Sequence, residues 1–280
     1  MEDLSFSPDG KYLATASWDG TARVWDATSG QEVARMTHGD SVGSVAFSPD
    51  GKYLATGSDD GTARVWETTS GREVARRKHG DSVRSVAFSP DGKYLATGSD
   101  DGTVRVWWAT GGWDVAWMTY EGSVEDIAFS PDGKYLAGQP SQSSSVRVWE
   151  WMSGRTVQLV HEDNVTAVSF SPDGKHLATG SEDNTARVWE LASGREVARV
   201  IHDDRITVLS TEGEGVRTVS FSSDGKYLAS GSEEVARVSL WRPEDLVAEA
   251  CSRLTRNLTK EEWRQYLTDE PYRATCPNLP

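Results

Sequence analysis

His79–Trp107 reads HGDSVRSVAFSPDGKYLATGSDDGTVRVW, and an almost identical copy occupies His38–Trp66. Measured by the Phe of FSPDG (FSSDG in the last copy), the unit recurs at Phe6, Phe47, Phe88, Phe129, Phe170 and Phe221. The first four steps are 41 residues each and the last is 51, so six copies run from Met1 to Trp241. A fixed period of this length marks a fold built by repeating one supersecondary unit. Within the unit, Val83–Phe88 is a β-rich run, and Ser89-Pro90-Asp91-Gly92 is a turn whose proline presets φ. Tyr94–Thr97 is a second run, Ser99–Gly102 closes it, and Val104–Trp107 alternates as a third. In the preceding copy Arg72–Arg76 follows a Ser-Gly turn as a more polar fourth strand, which suits an outer edge.

Four antiparallel strands in about 40 residues is the period of a propeller blade. With its His, Asp and Trp at recurring offsets, the chain resembles the WD-repeat β-propellers over residues 1–241. The name-giving dipeptide survives only as Trp25-Asp26; it is Trp-Glu at Trp66, Trp149 and Trp189, and is lost at Trp107 and Trp241. The expected fold is all-β: a propeller of six four-stranded blades, the last incomplete, over residues 1–241, then a short helical tail over 242–280.

The chain of 280 residues carries 29 basic and 43 acidic residues, a net charge of −14. Such a surface repels phosphate backbones, and no basic stripe interleaved with aromatics is present, which argues against nucleic acid. No apolar run is long enough for a membrane span and no signal peptide opens the chain. The two cysteines, Cys251 and Cys276, lie in the tail, so disulfides do not build the fold and a reducing cytoplasm fits; whether the pair is bonded stays open.

In chain order, Met1 aligns with Val124, inside a first strand, so the chain starts in mid-unit. In the resembling family an N-terminal strand usually completes the last blade, and the expectation is a fragment of a longer protein or a ring left unclosed. Copies two and three are near-identical, which invites strand exchange between chains. Copy four is eroded: Tyr120 replaces the His, and Gly138–Ser145 reads as a longer loop. An insertion, Asp203–Gly215, follows His202, and copy six ends at Trp241 without a fourth strand. Pro243-Glu244-Asp245 starts a helix, and Thr259–Glu262 reads as a capping box for a second; Asp269–Pro280 should be extended. The tail stretches CSRLTRNLTKEEW and PYRATCPNLP resemble the segment after WD repeats in large bacterial signalling proteins.

One constellation recurs: His38, Thr56, Asp60, Trp66; His79, Thr97, Asp101, Trp107; and His161, Thr179, Asp183, Trp189. A hydroxyl, an imidazole and a carboxylate suggest a nucleophilic triad, but an enzyme needs one unique pocket. The resemblance implies that these four residues hydrogen-bond inside each blade. Blade one keeps Thr15, Asp19 and Trp25 without a His, blade four only Trp149, and blade six Ser230 and Trp241; blades four and six are expected to be softer than two and three. No metal or cofactor motif appears.

The resemblance also implies a partner-binding loop face. The residues before each turn Asp are Trp18, Asp59, Asp100 and Glu182, beside Gly43, Arg84, Glu125, Thr166 and Arg217. This mostly acidic ring suits a basic or mixed partner segment, or is only a solvated rim. A second patch is Trp108, Trp113 and Trp117, set for binding or covered by the blade-four loop or the tail. The reading is a non-catalytic protein-binding scaffold or sensor domain of a larger bacterial signalling protein. Alternatives are a homo-oligomer that completes its ring between chains, and a small-molecule enzyme over the central channel.

Overall fold

The computed structural model describes residues 1–120, 122–202, 215–233, 235–253 and 276. The strands group into six antiparallel sheets, five of four strands and a last one of three, each in chain order. Blade two is representative, with strands Val42–Phe47, Tyr53–Ser58, Thr62–Glu67 and Glu73–Lys78. Among the described residues blade six has Thr218–Phe221, Tyr227–Gly231 and Ala236–Leu240.

Alternation along the strands explains how the blades stack. Neighbouring residues point to opposite sides of a sheet, so Leu54 and Trp66 face one neighbour while Ala55, Ala63 and Val65 face the other. Accordingly Val42, Val45, Phe47, Leu54 and Trp66 join blade one's Ala14, Ala22 and Val24 in one cluster. Blade two's Ala55, Ala63 and Val65 join blade three's Leu95 and Trp107 in the next. Small residues on one sheet receive large ones from the following sheet, and the same arrangement joins blades three to four, four to five and five to six. The innermost strands are also tied side chain to backbone: Val45 N donates to Asp3 Oδ2 at 2.9 Å, Val86 N to Ser44 Oγ at 3.3 Å and Ile127 N to Ser85 Oγ at 3.2 Å.

The glycine of Ala-Thr-Gly-Ser is set by this stacking. A Cβ on Gly57 would lie 2.9 Å from Val83 O, and one on Gly98 2.9 Å from Val124 Cγ1, both on the next blade's first strand. The turn glycine answers to the backbone instead: Gly92 sits at φ +70°, a region costly for residues with a Cβ. Ser89 Oγ donates to Asp91 Oδ1 at 2.6 Å and accepts from Tyr94 N at 3.0 Å, locking the turn between the first two strands.

Among the described residues no apolar cluster joins blade six to blade one. Phe6 is 61% exposed where its counterpart Phe47 is 9% exposed, and Val238 is 72% exposed where Val188 is fully buried. A cleft of about 480 Å³ opens on blade one's free side, lined by Phe6, Leu13, Thr15 and Trp25.

Two readings need correction. Trp241 is not blade six's counterpart of Trp189. Leu228 lies opposite Ser239, as Leu177 lies opposite Trp189, so Ser239 holds that place and Trp241 comes two residues later. There it is buried, donating Nε1–H to Gly225 O at 3.0 Å, as Trp151 does to Gly133 O at 2.9 Å. The blade-four loop is also shorter than expected, because the strand Leu136–Pro140 takes in Gly138 and Gln139. Blade four, though eroded in sequence, packs against both neighbours.

The helix Pro243–Arg253 begins at the expected proline and acids, and Cys251 is disulfide-bonded to Cys276. The insertion over 203–214, the second tail helix and, apart from Cys276, the extended C-terminus lie outside the described residues. No helix among the described residues is long and apolar enough to cross a membrane.

Candidate functional site

In blade two His38, Thr56, Asp60 and Trp66 form one chain of hydrogen bonds. His38 Nε2 lies 2.7 Å from Thr56 Oγ1 and Nδ1 lies 3.1 Å from Asp60 Oδ2, while Trp66 Nε1 donates to Thr56 Oγ1 at 2.9 Å. One proton assignment satisfies every group: indole N–H to Thr hydroxyl, hydroxyl to Nε2, and Nδ1–H to the carboxylate. Blade five repeats it, with His161 2.6 Å from Thr179 and 2.9 Å from Asp183, and Trp189 2.8 Å from Thr179.

The connectivity hydroxyl–imidazole–carboxylate matches that of a nucleophilic triad, and burial decides what it does. Thr56, Thr97 and Thr179 have no exposed surface, so no substrate reaches the hydroxyl, which already serves its neighbours. Burial, reinforced by the Arg64 charge, outweighs Asp60 and pulls the His38 pKa down to about 4. Burial likewise brings His79 to about 4 and lowers His161. These imidazoles are neutral at pH 7. The carboxylates go the other way: burial pushes Asp101 and Asp183 up, but hydrogen bonds from Thr103 and the Gly80 N–H, and from Thr185 and the Glu162 N–H, outweigh it and hold each at about 2.

Blade three departs from the expected network. His79 Nε2 meets Thr97 Oγ1 at 2.8 Å and Nδ1 meets Thr103 Oγ1 at 3.1 Å, with Asp101 3.5 Å away. Trp107 is fully buried, yet its indole N–H has no hydrogen-bond partner. It belongs to the blade's packing and not to its hydrogen-bond chain.

Two variants of the network escaped the sequence reading. In blade six His202 is buried and its Nε2 lies 2.8 Å from Ser230 Oγ. The pair is 28 residues apart instead of 18, and the ten-residue insertion hid it. In blade four Tyr120 and Gly138 hold the His and Thr places at the usual separation of 18. A Cβ on Gly138 would collide with the Tyr120 hydroxyl, so the glycine exists to admit the larger ring. Tyr120 Oη donates to Arg147 O at 3.2 Å, and burial raises its pKa. The two substitutions, read together, were the available signal.

The loop face brings some of the expected residues together. Arg84 bridges neighbouring blades, with Nε 2.8 Å from Asp100 Oδ2 and Nη1 3.1 Å from Asp59 Oδ1. Burial pushes the Asp100 carboxyl up, but hydrogen bonds from Arg84 and Ser123 hold it below the usual range. Arg217 Nη1 lies 3.3 Å from Glu182 Oε1. Glu125 is exposed near Arg84, and Trp18 stands apart at 73% exposure. The acidic ring is thus partly neutralised by its own arginines. Trp113, just before the outer strand Asp114–Thr119 of blade three, and Trp117, on it, are 76% and 65% exposed, so no described residue covers them. Trp108 leans on Tyr94, with ring centroids 4.7 Å apart.

Six matches to the family model "WD domain, G-beta repeat" cover residues 2–26, 30–67, 72–107, 117–150, 154–190 and 204–238. The chain belongs to the WD-repeat family. WD repeats generally mediate protein–protein contacts, are typically non-enzymatic, and bind proteins or peptides. No curated protein matches the chain. Among the described residues of this WD-repeat chain, no group of three or more His, Cys, Asp or Glu is placed to hold a metal ion.

Proposed function

We propose that this WD-repeat chain is a non-catalytic scaffold or sensor module, part of a larger bacterial signalling protein, that captures a partner segment of basic or mixed charge on its loop face. The observation that carries the reading is the rim itself. Arg84 and Arg217 clamp the acidic turns of neighbouring blades, and the exposed Trp18 stands on the same face, an aromatic of the kind that anchors interfaces. The net charge of −14 favours a basic segment over an acidic one at long range. The bacterial and signalling context rests on the tail resemblance. A photo-crosslinking residue at Trp18 should capture a discrete protein that the same residue at Asp50, on the turn at the opposite end of the blade, does not. Equal capture at both positions, or none at Trp18, sinks the proposal.

Cytoplasmic residence is a proposal of the same kind, supported by the low cysteine count. The Cys251–Cys276 bond weighs against it, because reducing compartments keep such pairs as thiols. Alkylation of the two cysteines in intact cells supports the placement; protection until reductant is added overturns it.

A second reading is favoured by the open seam. Blade six leaves Ala229, Ala236 and Val238 exposed, the counterparts of Ala178, Ala186 and Val188 buried in blade five. Blade one leaves Leu4 and Phe6 exposed, the counterparts of the buried Val45 and Phe47. The faces complement each other as every internal pair does, so a second copy stacked head-to-tail fits both. Light scattering behind a sizing column should give a multiple of 30.7 kDa that reverts to a monomer on Phe6→Glu. A wild-type monomer at tens of micromolar removes this reading.

A further inference from the structure

In blades one, two and five the third strand carries an arginine that its own blade holds between two carboxylates. Arg23 lies 2.9 Å from Asp19 and 3.9 Å from Glu32; Arg64 lies 2.8 Å from Asp60 and 3.6 Å from Glu73; Arg187 lies 2.7 Å from Asp183 and 3.6 Å from Glu196. Blade four keeps the arginine, Arg147, and loses both acids. Ser143 stands four residues before Arg147, where Asp19, Asp60 and Asp183 precede theirs. Thr156, opposite Trp149, stands where Glu196 lies opposite Trp189.

Arg147 has no carboxylate partner among the described residues. It donates Nη1–H to Thr119 O at 3.0 Å, and its guanidinium lies over the Tyr120 ring, 5.1 Å from the centroid. In front of it is a polar cavity of about 340 Å³, whose walls include Gln142, Ser143, Ser145 and Gln158. Gln158 Nε2 and Ser145 Oγ are joined at 3.0 Å, and the Ser143 hydroxyl accepts from Ser145 N at 3.2 Å. Gln142 at φ +50° carries the turn around the opening. A guanidinium matches a planar carboxylate through paired N–H donors, and here it lies stacked on a ring in a pocket whose described lining supplies hydroxyls and amides but no competing acid.

We propose that the blade-four cavity is a carboxylate-binding subsite, in which Arg147 takes an Asp or Glu side chain of a partner protein in place of the acids its own blade has lost. This deepens the partner-binding reading and rests on it only for the source of the carboxylate. The long-range field of the chain disfavours anions, so the subsite acts at short range, as an acidic residue within an otherwise basic or mixed segment requires.

The test uses the full chain at physiological salt, with the peptide Ac-Gly-Glu-Gly-amide titrated and followed by NMR, against Ac-Gly-Gln-Gly-amide. The amides of residues 141–145 should shift with the glutamyl peptide alone. Arg147→Gln should weaken the response about tenfold or more, the worth of a charge-assisted hydrogen bond. Ser143→Asp should abolish it by supplying an internal carboxylate at the spacing used in the other blades, and it does so with Arg147 intact. Unchanged melting of both variants shows that the fold is kept. No shift at 141–145, or a response that survives Arg147→Gln, overturns the proposal; so does inorganic phosphate occupying the site and excluding the glutamyl peptide. Because the probes are small peptides, failure here is separate from failure to capture a partner at Trp18.

Discussion

Thr56 serves two buried partners at once, taking the indole proton of Trp66 and giving its own to His38. Thr56→Val should strand both and cost about 2–6 kcal/mol, since each buried unsatisfied group costs roughly 1–3 kcal/mol. Thr97→Val should cost less, because Trp107 makes no such bond and only His79 is stranded. Urea denaturation of the two variants measures the difference, and equal losses would refute the assignment. The histidines also set a pH dependence. Their folded pKa, about 4 for His38 and His79, lies below the ordinary 6.5, so the unfolded chain binds more protons between those values. Stability therefore falls as pH drops from 6.5 towards 4, by at most about 1.4 kcal/mol per pH unit for each histidine. The carboxylates add a second loss only below pH 3.8, as the pH approaches the value of about 2 at Asp101 and Asp183. Calorimetry from pH 7 to 4 should show a falling melting temperature, with a shallower slope in His38→Gln.

Between elements, the distance from a strand to the next blade leaves little room for change. Gly57→Ala places a methyl 2.9 Å from a backbone carbonyl of the next blade's first strand, and overpacking of this kind costs about 1–3 kcal/mol. Gly43→Ala, which meets nothing within 4 Å, is the matched control; similar losses in the two would show that blade contact is not the cause. Blade four supplies a test of compensation. Gly138→Thr alone collides with the Tyr120 hydroxyl, Tyr120→His alone leaves a void, and the double variant rebuilds the pair found in blades two, three and five. A double-mutant cycle should give a favourable coupling within the roughly 0.5–3 kcal/mol typical of contacting residues; additive losses would show the two substitutions to be independent.

For the molecule as a whole, what matters is which blade faces find a neighbour. Blade four is packed on both sides and its His–Thr place is filled by Tyr120, so it is expected to be no softer than its neighbours despite the erosion of its sequence. Among the described residues blade six has three strands and one open face, and blade one has the opposite face open. Hydrogen exchange should be slowest in blades two to five and fastest in blade six, with blade one between, because local opening follows the number of buried contacts. Exchange in blade four as fast as in blade six would contradict this ordering. Chains associating through the seam would slow blades one and six together.

The sequence by itself determined the repeat, the four-strand unit, the turns and the residues of the His–Thr–Asp networks. Those features depend on spacing along one short stretch, and the Ala/Leu/Trp alternation carries its own instruction for burial. Only the tertiary structure decided that Ser239 and not Trp241 holds the tryptophan place, that Trp107 is packed but its indole N–H unbonded, that Tyr120 and Gly138 answer each other, and that Arg147 faces a cavity with no acid among its described lining residues. It also decided that, among the described residues, two faces stay open at the seam. Each of these turns on which atoms from a distant part of the chain arrive against a given side chain, and a repeat that looks alike in sequence meets a different neighbour at each position in space.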